Sequence, residues 1–185
     1  MSAQKVEEIL NYLRISEAIG TAGQPTAEQF GDIEAAGYKV VVNLAMPDSP
    51  NALPNESELL AEQGMAYVHI PVVWECPTAK DLELFFAAMD EHRDRKVLVH
   101  CVVNKRVSSF IFLYRVIRQG VPPENARQAL LRIWEPNAVW QSFMDDSLIR
   151  HKVSAYSCSS PHSQIDVSPP DTDARTGVTG AHRKT

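Results

Sequence analysis

The chain has 185 residues, an apolar share of 44% and a formal net charge of −5 at pH 7. That size and composition fit one domain with a usable core. The acidic balance argues against bulk nucleic-acid binding, and no apolar run approaches the length of a membrane span. The first eight residues, Met1 to Glu8, lack the apolar core of a secretion signal, so a cytoplasmic location is expected. The three cysteines, Cys76, Cys101 and Cys158, are odd in number and widely spaced, which does not suggest a disulfide framework. No Cys-x2-Cys or paired-histidine spacing points to zinc, and neither metal nor cofactor is expected.

In chain order, residues 4–13 carry Val6, Ile9, Leu10 and Leu13 and predict a short helix. Ile15 to Gly20 reads as a strand and Ala22 to Pro25 as a turn. Thr26 is a suitable N-cap for a helix over Ala27 to Ala36, which Gly37 ends. The β-branched run from Tyr38 to Leu44 predicts a strand covered on both faces. A proline-rich loop over 46–55 leads to a helix over Glu56 to Gln63, with Gly64 as its stop. A strand follows over Ala66 to Val72, then a loop over Val73 to Pro77, then a helix over Ala79 to His92 capped by Thr78. Val97 to His100 is a short apolar strand, and helices are expected over Val107 to Gln119, Pro123 to Trp134 and Pro136 to about His151.

Strands alternating with helices indicate an α/β fold with a mainly parallel central sheet flanked by helices. Residues 1–152 form the expected domain. The remainder, 153–185, is rich in Ser, Pro, Thr, Asp and Gly and reads as a disordered tail. In parallel sheets, ligands bind beyond the carboxyl ends of strands. The loops after Leu44, Val72 and His100 should therefore converge, bringing Asp48, Glu75 and Cys101 to one face.

The chemistry concentrates in His100-Cys101-Val102-Val103-Asn104-Lys105-Arg106-Val107-Ser108. A cysteine at a strand end, then a short loop, then a helix start, is an anion site containing a nucleophile. Backbone N–H groups at the helix start hold the anion and favour the thiolate. Arg106 in the first helical turn opposes the helix dipole, a conflict that a bound anion removes. Its planar fork suits two phosphate oxygens. Lys105 is a solvated flank that attracts anions, and His100 orders the loop by hydrogen bonding. Trp134 reads as core, while Trp74 beside Glu75 could line a substrate mouth.

This stretch resembles the His-Cys-x5-Arg-Ser/Thr loop of the cysteine-dependent protein tyrosine and dual-specificity phosphatases. Gly23-Gln24-Pro25-Thr26, Val40-Val41-Val42-Asn43-Leu44 and Tyr67-Val68-His69-Ile70-Pro71-Val72 are similar to bacterial members, over roughly residues 13–150. The spacing departs from the pattern: Arg106 follows Cys101 as Cys-x4-Arg. Aligned without a gap, Val107 takes the arginine place and Ser108 the hydroxyl place; aligned with a one-residue deletion, Arg106 is recovered and Val107 displaces the hydroxyl.

The resemblance implies a metal-independent phosphomonoester hydrolase working through a phosphocysteine. Cys101 would be the nucleophile and Arg106 the phosphate clamp. His100, Val102, Val103, Asn104, Lys105 and Ser108 would surround the phosphate, with Asn104 holding a left-handed turn where the family has glycine. The acid that protonates the leaving oxygen would be Glu75 or Asp48, or the site would lack one; Asp81 reads as a dipole partner of its own helix. The expected partner is a phosphorylated protein or a small phosphorylated molecule. Two alternatives stand beside this reading: a phosphate-binding module without turnover, and a rhodanese-type sulfurtransferase.

Overall fold

A computed structural model describes residues 5–153. All of the expected tail except Val153 lies outside them, and Val153 itself packs against the core.

Among the described residues five strands form one sheet in the order β1-β2-β5-β3-β4. They are β1 (Leu13–Arg14), β2 (Ile19–Ala22), β3 (Val40–Asn43), β4 (Ala66–His69) and β5 (Val97–His100). β1 pairs antiparallel with β2, and every other pairing is parallel. The sheet is thus mainly parallel, as the alternation of elements requires. Every residue of β3 and β5 is buried, which explains their unbroken apolar character.

Among the described residues six helices cover the two faces: α1 (Gln29–Ala35), α2 (Glu56–Glu62), α3 (Ala79–Glu91), α4 (Lys105–Ile117), α5 (Pro123–Leu131) and α6 (Ala138–Arg150). The strand period of two sorts the core into halves. Val40, Val42, Val97 and Val99 pack with α3, α4, α5 and α6. Val41 and Leu98 pack on the opposite face with Phe30 and Ile33 of α1 and Leu60 of α2. The central helix α4 is buried from Arg106 to Tyr114, so its first turn is enclosed by protein.

Several expected elements differ. The N-terminal helix is a single 3-10 turn, Val6–Glu8, after which Ile9 is extended and Asn11 takes φ +52°. Leu10 and Asn11 leave helical geometry because their carbonyls serve other parts of the fold, accepting from Gly23 N and Asn104 Nδ2. The strand expected over Ile15 to Gly20 straddles a turn. Ser16 Oγ accepts from the Ala18 and Ile19 amides, a local bond that competes with extended structure. α1 begins at Gln29 and has no side-chain cap; the Gln29 side chain accepts from Thr26 N instead.

Other boundaries follow the expected chemistry. Gly37 ends α1 at φ +89°, a conformation that side chains with a Cβ rarely adopt. Thr78 and Asp81 form a reciprocal capping box on α3, which commits Asp81 to that helix start.

Trp140 on α6 is the largest fully buried side chain. Its ring lies 5.2 Å from Trp74, 5.9 Å from Phe143 and 6.1 Å from Phe110, and its Nε1–H donates to the Trp74 carbonyl at 3.0 Å. Trp140→Ala is expected to cost about 3–5 kcal/mol of stability in urea unfolding, the range for deleting a buried aromatic. A loss below about 1 kcal/mol would show that this aromatic cluster does not support the fold.

Candidate active site

β5 ends at His100, and the side chains of His100 and Cys101 go to opposite faces of the sheet. Cys101 joins the α3–α6 half of the core and is 1% exposed. His100 turns to the α2 side, where its Nε2 lies 2.8 Å from Glu56 Oε1.

The loop after Cys101 is stitched to its neighbours by backbone bonds. Cys101 N donates to Ala22 O, Gln24 N donates to Val102 O, and Gly23 bridges Val103. A Cβ at Gly23 would sit 2.9 Å from Val102 O and 3.0 Å from Leu10 O, so only glycine permits this approach. Asn104 then turns the chain at φ +67°, the left-handed region that Asn tolerates. Its Nδ2 donates to Asn11 O at 2.7 Å and Thr21 Oγ1 at 3.0 Å, while Asn11 Nδ2 donates to Val103 O. Because the Asn104 side chain is engaged there, it does not cap α4. The first-turn amides of α4 are left without a side-chain acceptor, the state in which a helix start receives an anion.

A cavity of about 210 Å³ opens at this point, lined by Trp74, Cys101, Val102, Val103, Lys105 and Arg106. Arg106 is 8% exposed, and its Nε is buried without a hydrogen-bond partner. None of the ion pairs among the described residues includes Arg106 or Lys105. The guanidinium lies 5.8 Å from the Trp74 ring centroid and the Lys105 ammonium 5.4 Å from that of Trp134. Cation–π contact offsets only part of the cost of enclosing a guanidinium. A buried cation without a carboxylate, beside a thiol and an uncapped helix start, is a site for an anion.

Of the expected site residues, the structure brings Cys101, Val102, Val103, Lys105 and Arg106 to this cavity and leaves five outside it. His100 and Asn104 lie behind the loop as its supports. Ser108 is turned away: its hydroxyl donates to Lys105 O and accepts from Trp134 Nε1. Glu75 is exposed and lines a separate cleft with Cys76, Val139, Asp146 and Arg150. The reason lies in how α6 anchors the preceding residue. The Trp74 carbonyl is held by Trp140, and the Trp74 ring packs on Trp134 and Trp140. With Trp74 facing the cavity, its neighbour Glu75 faces away. Asp48 is exposed on the loop after β3 and does not line the cavity.

Glu56 is the residue that sequence reasoning missed. It is 3% exposed at the first position of α2, where an acidic residue ordinarily reads as a partner of the helix dipole. Burial pushes its carboxyl up, but the hydrogen bond and charge of His100, the Gln24 amide and the charge of His69 outweigh burial and hold it below the usual range. A carboxylate held low stabilises the fold above the unfolded pKa of about 4.3 and loses that contribution as pH falls through the lower native value. Denaturation measured across acidic pH is therefore expected to show wild-type stability falling more steeply below about pH 4.3 than that of Glu56→Gln. Equal slopes would mean that the carboxylate is not held low.

The fold agrees with known proteins. Residues 5–145 match the family described as DSP-PTPase phosphatase fused to NAD+ kinase. A DUF442 protein of Shewanella putrefaciens CN-32, described as a putative phosphatase, superposes with a TM-score of 0.74 at 34% identity, covering 80% of this chain and 97% of that one. Pseudomonas aeruginosa TpbA, solved in complex with pTyr, superposes with a TM-score of 0.56 at 17% identity over 76% of this chain and 82% of that one, a likeness of fold. A Beta-lactamase hydrolase-like protein of Xylella fastidiosa is 33% identical over 107 residues, 56% of this chain and 24% of that protein. The chain thus spans about a quarter of that relative's length. With a family match over residues 5–145 and a 34%-identical structure covered almost end to end, the chain belongs to the DSP-PTPase family of cysteine-dependent phosphatases.

Proposed function

We propose that the Cys101 cavity hydrolyses phosphomonoesters through a phosphocysteine, without a metal. The observation that carries this reading is Arg106, buried beside Cys101 with no carboxylate partner among the described residues. The Cys101 thiolate attacks phosphorus; an S–P bond forms as the bond from phosphorus to the ester oxygen breaks. Water then attacks the phosphocysteine, releasing inorganic phosphate and regenerating the thiolate. Arg106 and the first-turn amides of α4 oppose the charge that develops on the equatorial oxygens. Lys105 at the rim adds positive potential that draws in the phosphate dianion.

The substrate class is an aryl phosphate, with phosphotyrosine the natural example. The support is Trp74, whose indole forms one wall of the cavity and offers a face for an aromatic leaving group. The pTyr found on a protein of the same fold agrees with this choice. Leaving-group protonation falls to water, because no carboxylate is among the residues that line the cavity. A phenolate needs that help less than an alkoxide does.

Steady-state hydrolysis of aryl phosphates tests the assignment. Cys101→Ser is expected to abolish turnover. Arg106→Lys should lower kcat by about 10²–10³-fold, the range for losing one preorganised donor to a transition-state oxyanion, since an ammonium lacks the planar fork. Full activity in Arg106→Lys would remove the guanidinium from the mechanism. Sulfur transfer from thiosulfate to cyanide without phosphatase turnover would instead assign the cavity to a sulfurtransferase.

Leaving-group dependence tests the acid. With water as proton source, the decline in kcat from good to poor leaving groups is expected to be the same for wild type and Glu75→Gln. A steeper decline in Glu75→Gln would show that the Val73–Pro77 loop turns over and delivers Glu75 to the ester oxygen.

A further inference from the structure

One carboxylate on the far side of the sheet gathers the ends of three parallel strands. Glu56 Oε1 accepts from His100 Nε2 at the end of β5 at 2.8 Å and from Asn43 Nδ2 at the end of β3 at 3.2 Å. Its Oε2 accepts from Gln24 Nε2, two residues beyond β2, at 2.9 Å. The amide of Asn43 is oriented independently, because its Oδ1 accepts from Ala45 N at 2.7 Å. Asn43 therefore presents N–H groups to Glu56 and to the Tyr67 hydroxyl of β4. Position 56 must supply acceptors, and it must reach His100 and Gln24 at once.

Cys101 leaves the sheet directly after His100, so whatever fixes His100 fixes the take-off point of the nucleophile. The His100 backbone is held by Leu44 N, which donates to its carbonyl at 2.9 Å, while the Cys101 amide bond to Ala22 O is long, at 3.4 Å. The bonds through Glu56 are shorter and lie in the interior, where hydrogen bonds are electrostatically stronger. We infer that Glu56 is a positioning residue of the Cys101 loop, acting through His100 to set the nucleophile's height against the Arg106 clamp. It touches neither Cys101 nor the cavity. Where its effect is read as turnover, the inference rests on the phosphatase assignment; where it is read as thiol reactivity, it does not.

Reach and charge make opposite demands on substitutions here. Glu56→Asp keeps the charge but withdraws the carboxylate by one methylene, so it cannot span His100 and Gln24 together. Glu56→Gln keeps the length and loses the charge. Its oxygen can take His100 and Asn43, and its NH2 would face Gln24, whose Oε1 is buried without a partner and can turn to accept it. Positioning thus predicts that the glutamine variant outperforms the aspartate variant, whereas a purely electrostatic role predicts the reverse.

The test is aryl phosphate kinetics and iodoacetate alkylation of Cys101, followed by mass spectrometry of its peptide, on wild type, Glu56→Asp, Glu56→Gln and His100→Ala. Thermal unfolding monitored at neutral pH checks that each variant is folded. Glu56→Asp is expected to lower kcat by about a hundredfold, the cost of an ångström-scale misplacement, to leave KM within about twofold and to slow alkylation. Glu56→Gln should stay within about threefold of wild type, since it exchanges one set of hydrogen bonds for another. In the His100→Ala background, Glu56→Asp should add nothing further.

Aspartate outperforming glutamine, additive losses in the double variant, or a change in KM instead of kcat would each overturn the inference. Should Glu56→Asp fail to fold, His100→Ala decides, since unchanged kcat and alkylation there would remove the group through which Glu56 acts. If wild type turns over no phosphate ester, the phosphatase reading fails while the alkylation series still decides on Glu56. If wild type is active and Glu56→Asp matches it in both assays, the inference fails and the phosphatase reading stands.

Discussion

Arg106 is a buried cation with no carboxylate to neutralise it among the described residues, and the architecture around it has to keep that arrangement in place. A guanidinium in the first turn of a helix works against the helix dipole. Enclosing it adds a desolvation cost, and a nearby glutamate would relieve both at the price of blocking the site. The chain surrounds it instead with aromatic and aliphatic walls. The tryptophan trio does this: Trp140 holds the Trp74 backbone, Trp74 covers Arg106, and Trp134 covers Lys105 and takes up the Ser108 hydroxyl.

The short Cys-x4-Arg loop is supported from behind. Gly23 lets the β2 extension approach the loop backbone, and Asn104 makes the left-handed turn while its side chain reaches the N-terminal segment. Glu56 joins the strand ends through His100, Asn43 and Gln24. The cost of burying that carboxylate is offset by three donors, a condition under which a buried charge is tolerable. The Gly-Gln pair at 23–24 and Asn43 at the end of an apolar strand thus have one physical explanation: all three support the loop that carries Cys101.

Much of this was legible in the sequence. The apolar strand, His-Cys, short loop and helix announce themselves because burial, nucleophile and helix start fall within a dozen residues. The left-handed turn at Asn104 follows from the residue type. What was not legible depends on partners distant in sequence. Leu10 and Asn11 fit a helical period, yet their carbonyls are recruited by Gly23 and Asn104. The direction of Glu75 is set by how Trp140 holds the preceding residue, which no local pattern encodes. Glu56 looks like an ordinary acidic residue at a helix start until His100 is brought to it from 44 positions away.

In the proposed mechanism Cys101 carries the phosphoryl group. Acid-quenching wild type during turnover of an aryl phosphate and analysing its cysteine peptides by mass spectrometry tests this most directly. A phosphate-mass adduct is expected on the Cys101 peptide, building up within the first turnover and disappearing as substrate is exhausted, with none on the Cys76 peptide. Steady turnover with the Cys101 peptide unmodified at every quench time, and undiminished turnover in Cys101→Ser, would contradict it.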